Sequence, residues 1–255
     1  MQQFITKVIN RIINKLGIII GINYGGNTIK QEVKLVSRIL KGSHPPPKIL
    51  IDAGANKGLY TDELLNNFQN VEIHIFEPSL TNIKILNNKF LNNKNVTVND
   101  VGLSKVNETL ELYSPTLGGS FGSLSKRRLD FADIYFDKVE MVKVIKFIDY
   151  YNNNLKGQTI DFFKLDIEGH EMDALEGCEE VIDNIRCIQF EFGGCNIDTR
   201  TYFKDFWYFL NERNFDIYRI SPIGLISIDN YYETLETNKV SNYICINRNI
   251  TKTAN

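Results

Sequence analysis

A short acidic and glycine-containing loop is the first candidate for chemistry in this sequence. Its residues are Asp52-Ala53-Gly54-Ala55-Asn56-Lys57-Gly58, between an apolar run and a segment with helical periodicity. Glycine permits a tight turn and a close approach of backbone to ligand. In doubly wound α/β folds, such a loop lies at the carboxyl edge of the sheet, where nucleotide-type cofactors bind. The loop therefore predicts a site for an adenosine-containing ligand.

The loop differs from the common phosphate-binding patterns. A dinucleotide fingerprint would place glycine where Asp52 and Lys57 stand, and no G-K-[ST] follows as in a Walker loop. A carboxylate at the head of the loop repels a pyrophosphate but suits the ammonium group and the sulfonium of S-adenosylmethionine. The substitution favours S-adenosylmethionine over a nicotinamide cofactor.

Glu77 gives a second constraint because it follows a predicted strand and precedes Pro78. An acid about 20 residues after the glycine loop is placed in this fold to accept hydrogen bonds from ribose hydroxyls. A helix N-terminal acid beside Pro78 is the ordinary alternative. Two such features at successive strand ends favour a cofactor site.

The end of the next predicted strand would hold the adenine. Asp100 could face the adenine amino group, with backbone groups of Val101 beside it. A shift of register would bring Asn99 or Gly102 into the same place. The adenine assignment is therefore open between these neighbours.

A second acidic cluster follows a later apolar strand. Asp166, Glu168 and His170 lie at its end, and Glu191 ends the next strand, so the four side chains are predicted to converge. Methyl transfer is an in-line displacement that requires alignment of an acceptor oxygen and removal of its proton. One of these groups could be the base, or the carboxylates could seat a divalent metal; the sequence leaves both open.

These residues need a sheet to position them. Apolar runs at 48–51, 71–76, 96–101, 160–165, 185–192, 215–220 and 243–246 read as strands separated by helices, with a further strand at 139–145. Such alternation predicts right-handed crossovers and a mostly parallel, seven-stranded, doubly wound α/β sheet.

Two segments could serve an acceptor. The polar stretch 114–128, with Gly118, Gly119 and Gly122, is long enough to be a lid or acceptor loop, or a loose insertion. The aromatic helix predicted at 202–210 could stack on sugar rings, although its spacing is also typical of core.

Composition limits the partners. With 29 basic and 31 acidic side chains, the net charge is -2, which disfavours nucleic acid. The four cysteines form no C-x-x-C pair, which argues against zinc and fits a reducing, cytoplasmic location. No segment has the roughly 20 apolar residues of a transmembrane helix.

The chain is predicted to have three parts. Residues 1–44 form a helical extension and linker ending near Gly42, Ser43 and His44, 45–250 form the main domain, and 251–255 form a tail. The N-terminal helix has an apolar stripe, which predicts docking on its own domain or contact with a second copy in a homo-oligomer.

Taken together, these motifs resemble the FkbM family of methyltransferases. The matching segments are Ile51–Gly58, Phe76-Glu77-Pro78, Val101–Ser104, Lys164–Glu171, Glu176-Gly177 and Ile188–Glu191. Gly102 stands where the family usually has alanine.

The resemblance implies a class I, Rossmann-like methyltransferase fold, S-adenosylmethionine as donor with S-adenosylhomocysteine as product, and O-methylation, often of sugars. It implies that Asp52, Gly54, Asn56, Gly58 and Glu77 bind the cofactor and that 166–171 faces a small-molecule or carbohydrate acceptor. Ala55, Pro78, Asp100 and Val101 complete the predicted cofactor site. A nicotinamide-dependent oxidoreductase and a non-catalytic binding module are the alternatives.

Overall fold

The computed structural model describes residues 2–24, 28–42 and 45–251. The predicted linker residues Ser43 and His44 and the tail residues 252–255 lie outside the described residues.

The helices and strands alternate along most of the chain. Their order is α1 (Gln2–Ile19), α2 (Ile29–Lys41), β1 (Ile49–Ala53), α3 (Leu59–Asn67), β2 (Glu72–Phe76), α4 (Leu80–Phe90), β3 (Val96–Asn99), β4 (Gly102–Leu103), β5 (Glu108–Ser114), β6 (Lys138–Ile145), α5 (Phe147–Asn154), β7 (Phe162–Leu165), α6 (Glu171–Glu176), β8 (Cys187–Phe192), α7 (Cys195–Thr199), α8 (Phe203–Asn211), β9 (Phe215–Ser221), β10 (Gly224–Ser227), β11 (Ser241–Asn247) and α9 (Arg248–Thr251).

The main sheet has eight strands in the order β10-β9-β11-β8-β7-β1-β2-β3. Strands β3, β2, β1, β7 and β8 pair in parallel, while β11 and β10 pair antiparallel with their neighbours. The fold is thus the predicted mostly parallel α/β architecture. The predicted count of seven strands was wrong, because β10 adds an edge strand through a tight hairpin with β9.

Burial on both faces explains why the central strands are apolar. All of β1 and β7 is buried, as expected for parallel strands covered by helices. Adjacent residues of β1 belong to different cores: Leu50 packs with the cluster that includes Leu64 and Leu86, and Ile51 packs with the cluster that includes Phe163.

The register of the central strands defines the edge where a site can form. Ala53 pairs with Phe76 on β2 and with Leu165 on β7. The next residues, Gly54, Glu77 and Asp166, therefore leave the sheet side by side at its carboxyl edge.

A small second sheet, in the order β4-β6-β5, lies outside the main sheet. It includes the strand predicted at 139–145 and brackets the polar stretch 114–128. Helix α2 is packed into the main core through Val33, Val36 and Leu40. The division of the chain at residues 44 and 45 stays a prediction.

None of the helices in the described parts of the chain has the length and apolarity needed to cross a bilayer.

Candidate functional site

The loop after β1 crosses directly over the end of β7. Gly54 has φ +75°, and a Cβ atom there would lie 1.9 Å from the carbonyl oxygen of Asp166. Its N–H donates to the carbonyl of Phe76 at 2.9 Å. Only glycine fits this crossing, because any side chain would collide with backbone.

Two further residues of the loop have left-handed backbone. Asn56 has φ 51° and Gly58 has φ 72°. A Cβ atom on Gly58 would lie 2.8 Å from the ring of Phe90, and Gly58 immediately precedes α3. The backbone of the loop therefore turns twice before the helix begins, which leaves the N–H of Asn56 pointing at Glu77.

Glu77 lies beside this loop, immediately after the end of β2. Its carboxylate accepts hydrogen bonds from the N–H of Asn56 at 2.8 Å, the N–H of Ser79 at 3.0 Å and the amide of Asn82 at 3.3 Å. Burial raises the pKa of Glu77, and these three donors oppose the rise. The side chain is held in one orientation at the predicted ribose position.

Asp52 lies under the loop and not in the cavity. It is fully buried, accepts a 2.6 Å hydrogen bond from the hydroxyl of Thr61, and has its other oxygen 3.5 Å from the ammonium of Lys164. Lys164 also lies 3.3 Å from Asp166. Burial opposes the charge on Lys164, but the carboxylates of Asp166 and Asp52 outweigh it and raise its pKa.

A cavity opens at the carboxyl edge of β1, β2 and β7. It encloses about 690 Å³, including space open to solvent. Seven of the predicted site residues line it: Gly54, Asn56, Glu77, Pro78, Asp166, Glu168 and His170.

The remaining predicted residues lie outside the lining of that cavity. They are Asp52, Ala55, Gly58, Asp100, Val101 and Glu191. Ala55 and Gly58 are buried in the loop itself, and Asp100 is exposed after β3. Their direct contact with a cofactor stays a prediction.

The polar stretch between β5 and β6 covers the cavity. Tyr113 and Ser123 exchange backbone hydrogen bonds of 2.8 and 3.0 Å, so the intervening residues form a closed loop. A Cβ atom on Gly118 would lie 2.7 Å from Thr81 of α4, which shows how closely the loop tip packs there. This arrangement fits the predicted lid or acceptor loop.

Asn82 offers a direct test of whether a ligand fits this cavity. Its Oδ1 is buried, lines the cavity side of α4, and has no donor among the described residues. A buried acceptor without a partner is unfavourable. A hydroxyl or amino group of a bound nucleoside could donate a hydrogen bond to this oxygen. The polar lining of the cavity therefore fits the predicted cofactor.

Glu168 is a largely buried acid in the lining of the cavity. Its carboxylate is 3.2 Å from Arg127 and accepts a 2.8 Å hydrogen bond from the thiol of Cys195. Burial and the charge of Asp166 raise the pKa of Glu168 to about 7, against the opposing effects of Cys195 and Arg127. Arg127 in turn binds Asp198 at 3.0 Å.

His170 is oriented by two neighbours. Its Nδ1 lies 2.8 Å from the carboxylate of Asp173, and its Nε2 lies 3.0 Å from the hydroxyl of Ser125. Lys105 binds the other oxygen of Asp173 at 2.8 Å. Burial tends to raise the pKa of Asp173, but its bonds to His170 and Lys105 outweigh this and lower it.

Glu191 lies on the next strand, beside Asp166. Burial and the charges of Asp166 and Glu168 raise its pKa well above the usual range.

Within residues 2–24, 28–42 and 45–251, no three His, Cys, Asp or Glu side chains come close enough to hold a metal ion.

Several functional candidates were missed from sequence. They are Ser79, Asn82, Lys105, Ser125, Arg127, Lys164 and Asp173. A lysine inside the apolar strand Phe162–Leu165 was a visible signal, because a buried lysine requires carboxylate partners. Ser125 and Arg127 reach the site only through the folding of the stretch 114–128.

The fold and the cavity at its carboxyl edge define a doubly wound α/β protein, and the sequence comparison identifies its family. The model of the family described as "Methyltransferase FkbM domain" matches residues 52–217, more than half of the chain. The chain belongs to this family. Membership confirms the predicted methyltransferase class and its donor, S-adenosylmethionine. A comparison with curated proteins gave no match.

Three solved structures with a similar arrangement are distant in sequence. An O-methyltransferase from Bacillus cereus in complex with S-adenosylhomocysteine has 11% identity and a TM-score of 0.48, covering 92% of this chain and 87% of that one. An rRNA methylase from Streptococcus thermophilus has 12% identity and a TM-score of 0.45, with 85% and 94% coverage. The plantazolicin methyltransferase BpumL, in complex with S-adenosylhomocysteine, has 9% identity and a TM-score of 0.46, with 87% and 86% coverage.

Proposed function

We propose that this methyltransferase transfers its methyl group to a hydroxyl oxygen of a sugar, glycan or glycan precursor. The observation that carries the proposal is the pairing of His170 with Asp173 in the wall of the cavity, next to a lid. A hydroxyl acceptor must lose its proton during transfer, so the enzyme needs a positioned base. The choice of a carbohydrate follows the family resemblance.

His170 is the proposed base. Asp173 accepts from Nδ1–H, which leaves the lone pair on Nε2, as in other acid-oriented histidines. The hydroxyl of Ser125 occupies that lone pair in the structure. An acceptor hydroxyl in the place of Ser125 would donate to the same nitrogen, and Nε2 would take the proton that the oxygen loses on methylation.

The cofactor contacts are proposed for the opposite end of the cavity. Glu77 would accept from the ribose hydroxyls, the backbone of Gly54 and Asn56 would lie against the amino-acid part, and Asn82 would accept a further donor. When bound, S-adenosylmethionine supplies a methyl group activated by the sulfonium. Asp166, which lines the cavity and is partly exposed, would lie nearest this positive charge.

Two variants separate binding from chemistry. Glu77→Gln should weaken binding of S-adenosylhomocysteine at least about tenfold, because a charge-assisted acceptor is lost. His170→Gln should retain binding in calorimetry and lower methyl transfer about 10²-fold or more, the usual contribution of a general base.

A panel of small glycans and labelled donor would be used for the transfer assay. Heat from NAD in place of S-adenosylhomocysteine would favour the oxidoreductase alternative. Binding of the product without transfer to any glycan would favour a non-catalytic module or another acceptor. Transfer unchanged by His170→Gln would remove His170 from the mechanism.

Self-association is proposed for α1. Its apolar stripe remains exposed: Ile12 is 53% and Leu16 is 59% exposed, so the body of the protein does not cover them. A second copy could bury this stripe.

A cytoplasmic location also stays a prediction, supported by four free buried thiols at Cys178, Cys187, Cys195 and Cys245.

A further inference from the structure

A second, open groove meets the cavity at His170. It runs over α6 and α8 and encloses about 1440 Å³ including open solvent. His170 lines both the cavity and the groove, and Asp173 and Ser125, the two partners of His170, also line the groove. A molecule in the groove could therefore extend one hydroxyl group past His170 into the cavity while the rest of it stays in the groove.

The charges of the groove select against a polyanion. Its lining has four cations, Lys105, Arg200, Lys204 and Arg213, and five carboxylates, Asp173, Glu176, Asp198, Asp205 and Glu212. Lys105 is already neutralised by Asp173 at 2.8 Å and Glu176 at 3.4 Å. A nucleic acid needs an excess of positive charge along its backbone, which this surface lacks.

The ring of Tyr208 lines the groove, and two further aromatic rings pack next to it. Tyr208 is 44% exposed, and its ring lies 5.0 Å from Trp207 and 6.2 Å from Tyr231. Trp207 donates from Nε1 to the carbonyl of Ile228 at 3.2 Å. Tyr231 donates to Glu236 at 2.9 Å.

The aromatic group is consequently rigid before any ligand arrives. An exposed ring held in place is an apolar platform with a polar tip, which binds at little entropic cost. The carboxylates and hydroxyls beside it, such as Asp205 and Thr201, are suited to hydroxyl groups. A neutral oligosaccharide offers both of these surfaces, since its ring faces are apolar and its edges carry hydroxyls.

We propose that this groove binds an extended neutral oligosaccharide, with one sugar at His170 and a more distant sugar stacked on Tyr208. This inference rests on the proposed function and adds to it the length and charge of the acceptor. Tyr208 acts in binding and not in chemistry. The enzyme should therefore prefer a chain of several sugars over a single sugar.

The test uses the full-length enzyme and a ladder of neutral gluco- and galacto-oligosaccharides from one sugar upwards. In the wild type, kcat/KM should rise with chain length. Tyr208→Ala should lower kcat/KM for the longer members about tenfold more than for the monosaccharide, mainly through KM, because one ring contact is lost. Tyr208→Phe should retain the length dependence, since the ring remains.

Tyr232→Ala is the matched control, because Tyr232 is 62% exposed and does not line the groove. Melting temperatures would show that all variants fold. The proposed binding of an oligosaccharide in the groove would be wrong if kcat/KM of the wild type did not rise with chain length, or if Tyr208→Ala and Tyr232→Ala had equal effects. Neither result would contradict methylation of a sugar. Inhibition by an RNA oligonucleotide, at concentrations where neutral chains do not inhibit, would also overturn the proposed binding in the groove. Failure to methylate any sugar, with product binding intact, would instead overturn the proposed function.

Discussion

Asp52 shows that residue type and position can predict a functional site without identifying the groups that bind a given side chain in it. The sequence placed a carboxylate at the head of the loop and assigned it to the ammonium of the donor. In the structure Thr61 and Lys164 already bind it below the loop. Lys164 links Asp52 to Asp166, so the positive charge expected from the ligand is partly supplied by the chain itself.

Glu77 and the second cluster were more predictable. They follow strands whose register is fixed by buried apolar residues, so their position at the sheet edge could be read from the sequence. Asn82, Ser125 and Asp173 could not be found in this way. Ser125 reaches His170 through the packing of the lid, which is a tertiary contact without a local pattern. Asn82 and Asp173 contact Glu77 and His170 from nearby positions in the chain, but nothing in the local residue pattern marks them as site residues.

Glu168 should make stability depend on pH. With its pKa raised from 4.5 to about 7, the folded protein keeps a proton that the unfolded chain releases between these values. The free energy of unfolding should therefore fall as pH rises through this window. Glu168→Gln removes this loss, so its stability relative to wild type should increase with pH by up to about 3 kcal/mol.

Denaturant unfolding across pH 4.5 to 8 measures this difference. Glu168→Gln also loses the contacts with Arg127 and Cys195, which changes the free energy of unfolding by the same amount at every pH. The elevated pKa is therefore tested by how the difference from wild type changes with pH, and not by its absolute value. Glu180→Gln, at an exposed glutamate, is the control for loss of a carboxylate on the surface. A flat difference for Glu168→Gln would contradict the elevated pKa.

At the scale of elements, the predicted strands of the main sheet were found within a few residues of their expected ends. The missing strand, β10, is only four residues long and pairs through the turn after Ser221. Its sequence has no apolar run of useful length. The second sheet was harder to predict because β5 is mostly exposed or half-buried, so packing imposes a weak pattern on it.

The crossing of the β1 loop over β7 gives a prediction at this scale. Gly54→Ala should destabilise the protein by about 2 kcal/mol or more and abolish product binding. The new Cβ would collide with the backbone of Asp166, and the alanine would have to adopt a left-handed φ. Thermal unfolding and calorimetry with S-adenosylhomocysteine measure the two effects.

Gly157→Ala is a matched control for this variant. Gly157 has φ +80°, but a Cβ there meets nothing within 4 Å. It should show only the smaller conformational cost, about 1 kcal/mol, with binding intact. Equal losses in the two variants would mean that backbone strain, and not the approach of the two strand ends, determines the effect.

At the scale of the whole molecule, α1 carries an apolar stripe that its own chain leaves exposed. Ile9, Ile12 and Leu16 are each about half exposed. The double variant Ile12→Gln and Leu16→Gln should convert a self-associated wild type to monomer, because the apolar area available for burial is reduced. Light scattering over a range of protein concentrations measures this.

Lys7→Gln with Lys15→Gln is the control on the same helix, since it removes charge and leaves the apolar stripe. This control should still self-associate. A wild type that stays monomeric at every concentration would contradict the proposed contact between copies.

The burial of Glu32 on α2 has a consequence for dissecting the protein. Its carboxylate accepts from Gln189 of β8 at 2.7 Å and from Asn242 of β11 at 3.1 Å, although α2 precedes the stretch matched by the family model. Gln189 also accepts from the hydroxyl of Tyr60 at 2.7 Å. A shortened chain that began after α2 would leave two interior amides without their acceptor and uncover one side of the sheet. A piece that folds should therefore begin at or before α2, upstream of the stretch matched by the family model.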